Sequence, residues 1–134
     1  MRTSDTLLSA MANALISSAA GGKLRFYSGT RPAGPGTALS GNTLLAELTL
    51  GSPAFPSAVN GVLTSNAITQ DASADASGTC TFARLFASDG TTALHDFSVS
   101  ATGGGGEIQF STTTFTATLP VNVPTLTIAV PMGT

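Results

Sequence analysis

The 134-residue chain has the length of one domain, carries a net charge of −2, and is only 9% charged where ordinary domains run near ~25%. Ser and Thr supply 36 residues and Gly 15, so the polar surface is hydroxyl-rich and nearly uncharged. Lys23, Arg25 and Arg31 form only a loose trio, which excludes tracking along a nucleic-acid backbone, and the single Cys80 excludes an intrachain disulfide.

In chain order, the first element is a helix. Thr3 or Ser4 caps it, Asp5 sits in its first turn, and Leu7, Leu8, Met11, Leu15 and Ile16 follow helical spacing. Gly21 and Gly22 end it and are expected to act as a hinge, which divides the chain into a helix with hinge at 1–22 and a single β domain at 23–134. The apolar stretch of 7–20 is too short and too Ser-rich to span a bilayer. It lacks the strongly apolar middle of a signal peptide, so a cytoplasmically made protein is expected. A helix of this length is marginal alone, so its stripe must dock on the domain's own sheet or on a neighbouring subunit. The hinge favours a neighbour.

Strands follow. Lys23–Tyr27 is a short run, and residues 30–43 are a long turn-rich loop with Pro32 and Pro35. Leu44–Leu50 alternates in part, and residues 51–58 form another irregular connection with Pro53, Phe55 and Pro56. Short β segments lie within Gly61–Ile68. Thr79–Ala87 is expected to place Cys80, Phe82, Arg84 and Phe86 on one face and Thr81, Ala83, Leu85 and Ala87 on the other. Ser88-Asp89-Gly90-Thr91 turns the chain into a return strand over Thr92–Val99. The four glycines of Gly103–Gly106 read as a flexible loop tip, followed by strands at Glu107–Phe110, Thr113–Leu119 and Thr125–Val130. This pattern predicts a mainly β fold, an antiparallel β-sandwich or barrel-like domain with one N-terminal α-helix.

No residue set for catalysis stands out. His95 adjoins Asp96, but neighbours on a strand point to opposite faces, and there is no G-x-S-x-G elbow. Asp71 and Asp75 lack the ligand series of a calcium loop, zinc would need more than one His and one Cys, and no G-K-[ST] follows the glycine run. No catalytic, metal or cofactor residues are assigned. Weak charge leaves little repulsion between copies and points to assembly. The candidate contact residues are Leu7, Leu8, Met11, Leu15 and Ile16 on the helix, with Arg31, Pro32, Pro35, Pro53, Phe55 and Pro56 in the two proline-containing connections.

Three segments carry a resemblance. LRFYSGTRPAGPGTALSGNTLLAELTL (24–50), ASGTCTFARLFASDGTTALHDFSV (76–99) and STTTFTATLPVNVPTLTIAV (111–130) resemble small structural proteins of tailed bacteriophages and prophages. The resemblance implies a non-enzymatic virion component made in the host bacterial cytoplasm. It favours a head decoration (cement) protein that forms a homo-oligomer, a trimer in preference, and that binds the major capsid protein or other virion proteins. A tail, baseplate or fibre-associated protein is the alternative, and a glycan-binding module is a third.

Overall fold

The computed structural model describes residues 5–55, 62–123 and 127–129. Among the described residues, helix α1 (Asp5–Ala19) leads into nine strands: β1 (Lys23–Tyr27), β2 (Leu44–Thr49), β3 (Val62–Thr64), β4 (Gly78–Thr79), β5 (Phe82–Phe86), β6 (Ala93–Ala101), β7 (Ile108–Phe110), β8 (Thr114–Phe115) and β9 (Thr127–Ala129). The fold is mainly β with one N-terminal helix, as expected. A curled sheet of order β2-β1-β5-β6-β7 is joined by two small antiparallel ladders, β3-β9 and β4-β8.

The sheet is antiparallel except at its end, where β6 and β7 run parallel with Val99 opposite Ile108 and Ala101 opposite Phe110. Parallel neighbours usually need a crossover of a dozen or more residues. Here residues 102–107 suffice because of the glycine run. Gly103 and Gly105 each have φ +85, and a Cβ at Gly106 would lie 2.7 Å from the Ser100 nitrogen. The run is a built turn. Ser100 Oγ accepts from the Gly106 amide at 2.9 Å, Gln109 Oε1 accepts from the Gly103 amide at 3.1 Å, and Ser98 Oγ accepts from the Glu107 amide at 3.0 Å.

The main core gathers on one face of the sheet. Leu24, Phe26, Leu48, Ala83, Leu85 and Phe97 meet Phe55, Leu63, Cys80, Ile108 and Phe115. Phe26, Phe110 and Phe115 contact one another edge-on or tilted, with centroids 5.3–5.9 Å apart. The expected strand Thr79–Ala87 is two strands in two sheets. It breaks at Cys80-Thr81, so Cys80 joins the main core, while Phe82 and Phe86 pack on the opposite face with Tyr27. Every residue of β5 is buried because both faces of this central strand are covered. Its sequence therefore alternates in direction without alternating in polarity.

The helix meets the domain through its C-terminal end. Ala19 is fully buried, and Leu15 and Ile16 pack against the main core, while Asn13, Ala14, Ser17 and Ser18 are exposed. Thr3, Ser4 and the side chains of Leu7, Leu8 and Met11 lie outside the described residues. The two glycines after the helix are tied rather than loose. The Gly21 amide donates to Gly51 O, the Gly22 amide to Ala19 O, and Gly22 O accepts from the Leu50 amide, each at 2.9 Å. A Cβ at Gly22 would sit 2.5 Å from Phe86 O, so only glycine lets the helix end lie this close to β5. Both glycines of the expected hinge carry these bonds.

Candidate interaction surface

The second face of the sheet is built from alternate residues of β1, β5 and β6. Arg25 stands opposite Glu47 on one side and Arg84 on the other, and Arg84 stands opposite Asp96. Arg25 pairs with Glu47, donates from Nη1 to Gly90 O at 2.9 Å, and lies over the Phe86 ring at 4.7 Å. Burial works against the charge of Arg25, but the hydrogen bond and charge of Glu47 outweigh it and raise its pKa. Burial also raises the pKa of Tyr27, which stacks on Phe82 at 5.4 Å.

Deeper in this face, Arg84 and Asp96 are 3% and 4% exposed. Arg84 donates from Nε to Asp96 Oδ1 at 2.8 Å and from Nη2 to Oδ2 at 3.1 Å, a bidentate pair. Two of the three remaining guanidinium hydrogens reach into the loop between β1 and β2. Nη1 donates to Thr37 O at 2.9 Å and Nη2 to Gly34 O at 3.1 Å. Those two carbonyls bracket a β-turn in which the Thr37 amide returns to Gly34 O, with Pro35 and Gly36 at the tip. One guanidinium thus holds a carboxylate beneath it and a turn above it.

Residues 30–43 consequently fold back over their own sheet as a strap. Leu39 packs on Tyr27, Phe82 and Phe86. Asn42 ties the neck, its Nδ2 donating to Ser28 O at 2.9 Å and to Thr30 O at 3.0 Å, with Oδ1 accepting from the Ser40 amide at 3.0 Å. Ends this close, closed by the loop's own side chains, define an Ω-loop. The inner side of a segment expected to contact a partner is used within the chain. Its outer side, with Ala33, Gly36 and Ala38, is exposed.

Placing the candidate residues gives a divided result. Arg31 is exposed and donates to Asp96 O at 3.3 Å, Pro32 and Pro35 are half-buried on the strap, and Pro53 is exposed. Phe55 is corrected: at 1% exposure it is a core side chain with no surface to offer a partner. Its burial follows from the fixed backbone around it, where Asn66 donates to Pro53 O and Ala54 O. Leu15 and Ile16 are partly used against their own core. Pro56 lies outside the described residues. The structure therefore brings the strap residues together on the second face and places Pro53 and Phe55 elsewhere.

Sequence reasoning missed Arg84, Asp96, Leu39 and Asn42. A usable signal was present for the first. An arginine between two phenylalanines on one face of a strand whose other face is apolar must be paired when that strand is central.

Asp96 faces Arg84, while His95 lies against the Phe97 ring at 4.5 Å with its Nε2 3.9 Å from Glu107. Asp71 accepts from the Ser73 and Glu47 amides, each at 3.0 Å, and its segment covers the outer edge of β2. Burial pushes the Cys80 thiol up to about 12. Among the described residues no group of three or more His, Cys, Asp or Glu is placed to hold a metal ion, and no helix is long and apolar enough to cross a membrane. An open cleft of about 220 Å³ lies between Phe110, Phe115, Thr116, Leu119 and Asn122. Comparison with protein families, curated proteins and solved structures gave no match to this chain.

Proposed function

We propose that this chain is a non-enzymatic structural protein of a tailed-phage virion, a head decoration protein that acts through contacts with copies of itself and with the shell. The observation that carries the reading is the neutral, strand-built surface. The sheet ends on the edge strand β7, which bears neither lysine nor proline, and Leu119 stands 54% exposed. Charge is one of the devices by which monomers guard such edges, and Lys23 is the only lysine in the sequence. Arg25 and Arg84, two of the few cations, are neutralised by Glu47 and Asp96 within the chain. Little charge is left to keep copies apart.

The strap supports the same reading. A loop pre-ordered by Arg84 and by proline restriction loses less entropy on docking than a mobile one. The test is the copy number of this chain in purified particles, with its location by labelled-antibody microscopy. Many copies spread over the head are expected. A handful of copies at the tail tip would instead place it in the baseplate or fibre, and absence from particles would refute a virion role.

A further inference from the structure

We propose that residues 30–41 open and close as one unit, a strap that covers an aromatic face and can release it while the sheet stays folded. The strap has distinct ends and a distinct latch. Gly29 and Gly41 sit at its two ends in the left-handed region, with φ +87 and +70, where glycine moves at least cost. Between them the arch touches the sheet at few points: the Gly34 and Thr37 carbonyls on Arg84, the Arg31 side chain on Asp96 O, and Leu39 on the aromatic cluster. Asn42 bonds to Thr30 O and to the Ser40 amide at the two feet of the arch, and other neck bonds lie wholly outside it. Ser28 donates to Thr43 O at 3.1 Å, and Thr81 Oγ1 donates to Gly29 O at 2.6 Å.

What lies beneath is complete without the strap. Arg84 keeps both bonds to Asp96 when Gly34 and Thr37 leave, so opening strands no uncompensated charge. Opening exposes the stacked pair Tyr27 and Phe82 with Phe86 beside it, on a face flanked by Arg25. Segments with few buried contacts and a polar attachment are the ones that open below the global unfolding free energy. The closed strap therefore conceals an adhesive face on a protein whose low charge offers little other protection against association.

The experiment is amide hydrogen exchange by NMR on the full chain and two variants. The reporters are the Thr37 amide, whose turn to Gly34 O is braced by Arg84, and the Ser40 amide, bonded to Asn42 Oδ1 at the neck, against Arg84 and Leu85 in β5. Gly41→Ala meets open space but strains the closed backbone, and Leu39→Ala removes the plug. Each variant is expected to speed Thr37 and Ser40 exchange by the same factor, about fivefold or more, with β5 unchanged and binding of an apolar dye increased. If Thr37 and Ser40 respond by unequal factors, the strap frays piecemeal and the proposal fails. If both exchange only as fast as β5 in the unaltered chain, the strap opens only with global unfolding and the proposal also fails.

Discussion

Replacing Asp96 with alanine leaves the Arg84 guanidinium buried at 3% exposure with no counter-charge. Two of its hydrogen bonds vanish, those from Nε and Nη2, while the bonds to Thr37 O and Gly34 O remain. Breaking one side of a buried ion pair costs about 3–5 kcal/mol. That is a large share of the roughly 5–15 kcal/mol that holds a domain together. At about 4 °C per kcal/mol for this size, the melting temperature should fall by about 12–20 °C. The double variant Arg84→Met with Asp96→Leu removes both charges, and its new side chains border Phe82 and Phe86. It should recover most of the lost stability, since apolar replacements of buried pairs are often neutral. It cannot recover the latch, because methionine donates nothing to Gly34 O or Thr37 O. Urea unfolding followed by circular dichroism measures the first effect, and exchange of the Thr37 amide measures the second. A loss under ~1 kcal/mol for Asp96→Ala would mean the pair behaves as a solvated surface bridge, which would refute the argument.

Three further outcomes follow from other sites. Gly106→Ala should destabilise by about 2 kcal/mol or more, because its Cβ meets backbone at 2.7 Å. Gly105→Ala, with φ +85 and open space around it, should cost only about 1–2 kcal/mol, and chemical denaturation compares the two. Cys80 should resist a thiol reagent at neutral pH until the protein unfolds, because burial holds its thiol up at about 12. Asp89 accepts from the Thr91 and Thr92 amides and the Thr92 hydroxyl, which hold its carboxyl down at about 2. A lowered folded-state value stabilises above the unfolded-state pKa near ~3.9, and the contribution is lost as pH falls toward about 2. Asp89→Asn should flatten the stability profile across that window, read by thermal melts at stepped pH.

Much of the fold was readable from local chemistry. Lys23–Tyr27 matched its strand to the residue, and the Asp89-Gly90 turn joined β5 to β6 as its residue types require. Errors arose where tertiary position overrode local pattern. Cys80-Thr81 reads as the middle of a strand, yet the chain there passes from one sheet to another. The glycine run reads as slack, yet its crowding comes from Ser100, which local composition does not reveal. The strap reads as a loop from its prolines and glycines, but its attachment depends on Arg84 and Asp96, far along the chain. Phe55 shows the same difficulty in reverse, since a phenylalanine between prolines looks exposed until Leu63 and its neighbours are known to surround it.

The latch also sets an order of events during synthesis. Arg84 follows Thr37 by 47 residues, and Asp96 follows Arg84 by 12. As the chain emerges from the ribosome, β1 and β2 appear before β5, and a lone two-stranded hairpin is marginal in water. The central strand β5 that flanks β1, the guanidinium that receives the strap and the carboxylate that neutralises it all arrive together in the second half. The five-stranded sheet is therefore incomplete until the residues from Ala93 onward are available to pair with β5. A nascent chain stalled before Ala93 would present Leu24, Phe26, Tyr27 and Leu48 without a completed sheet, and such intermediates are the ones that chaperones hold.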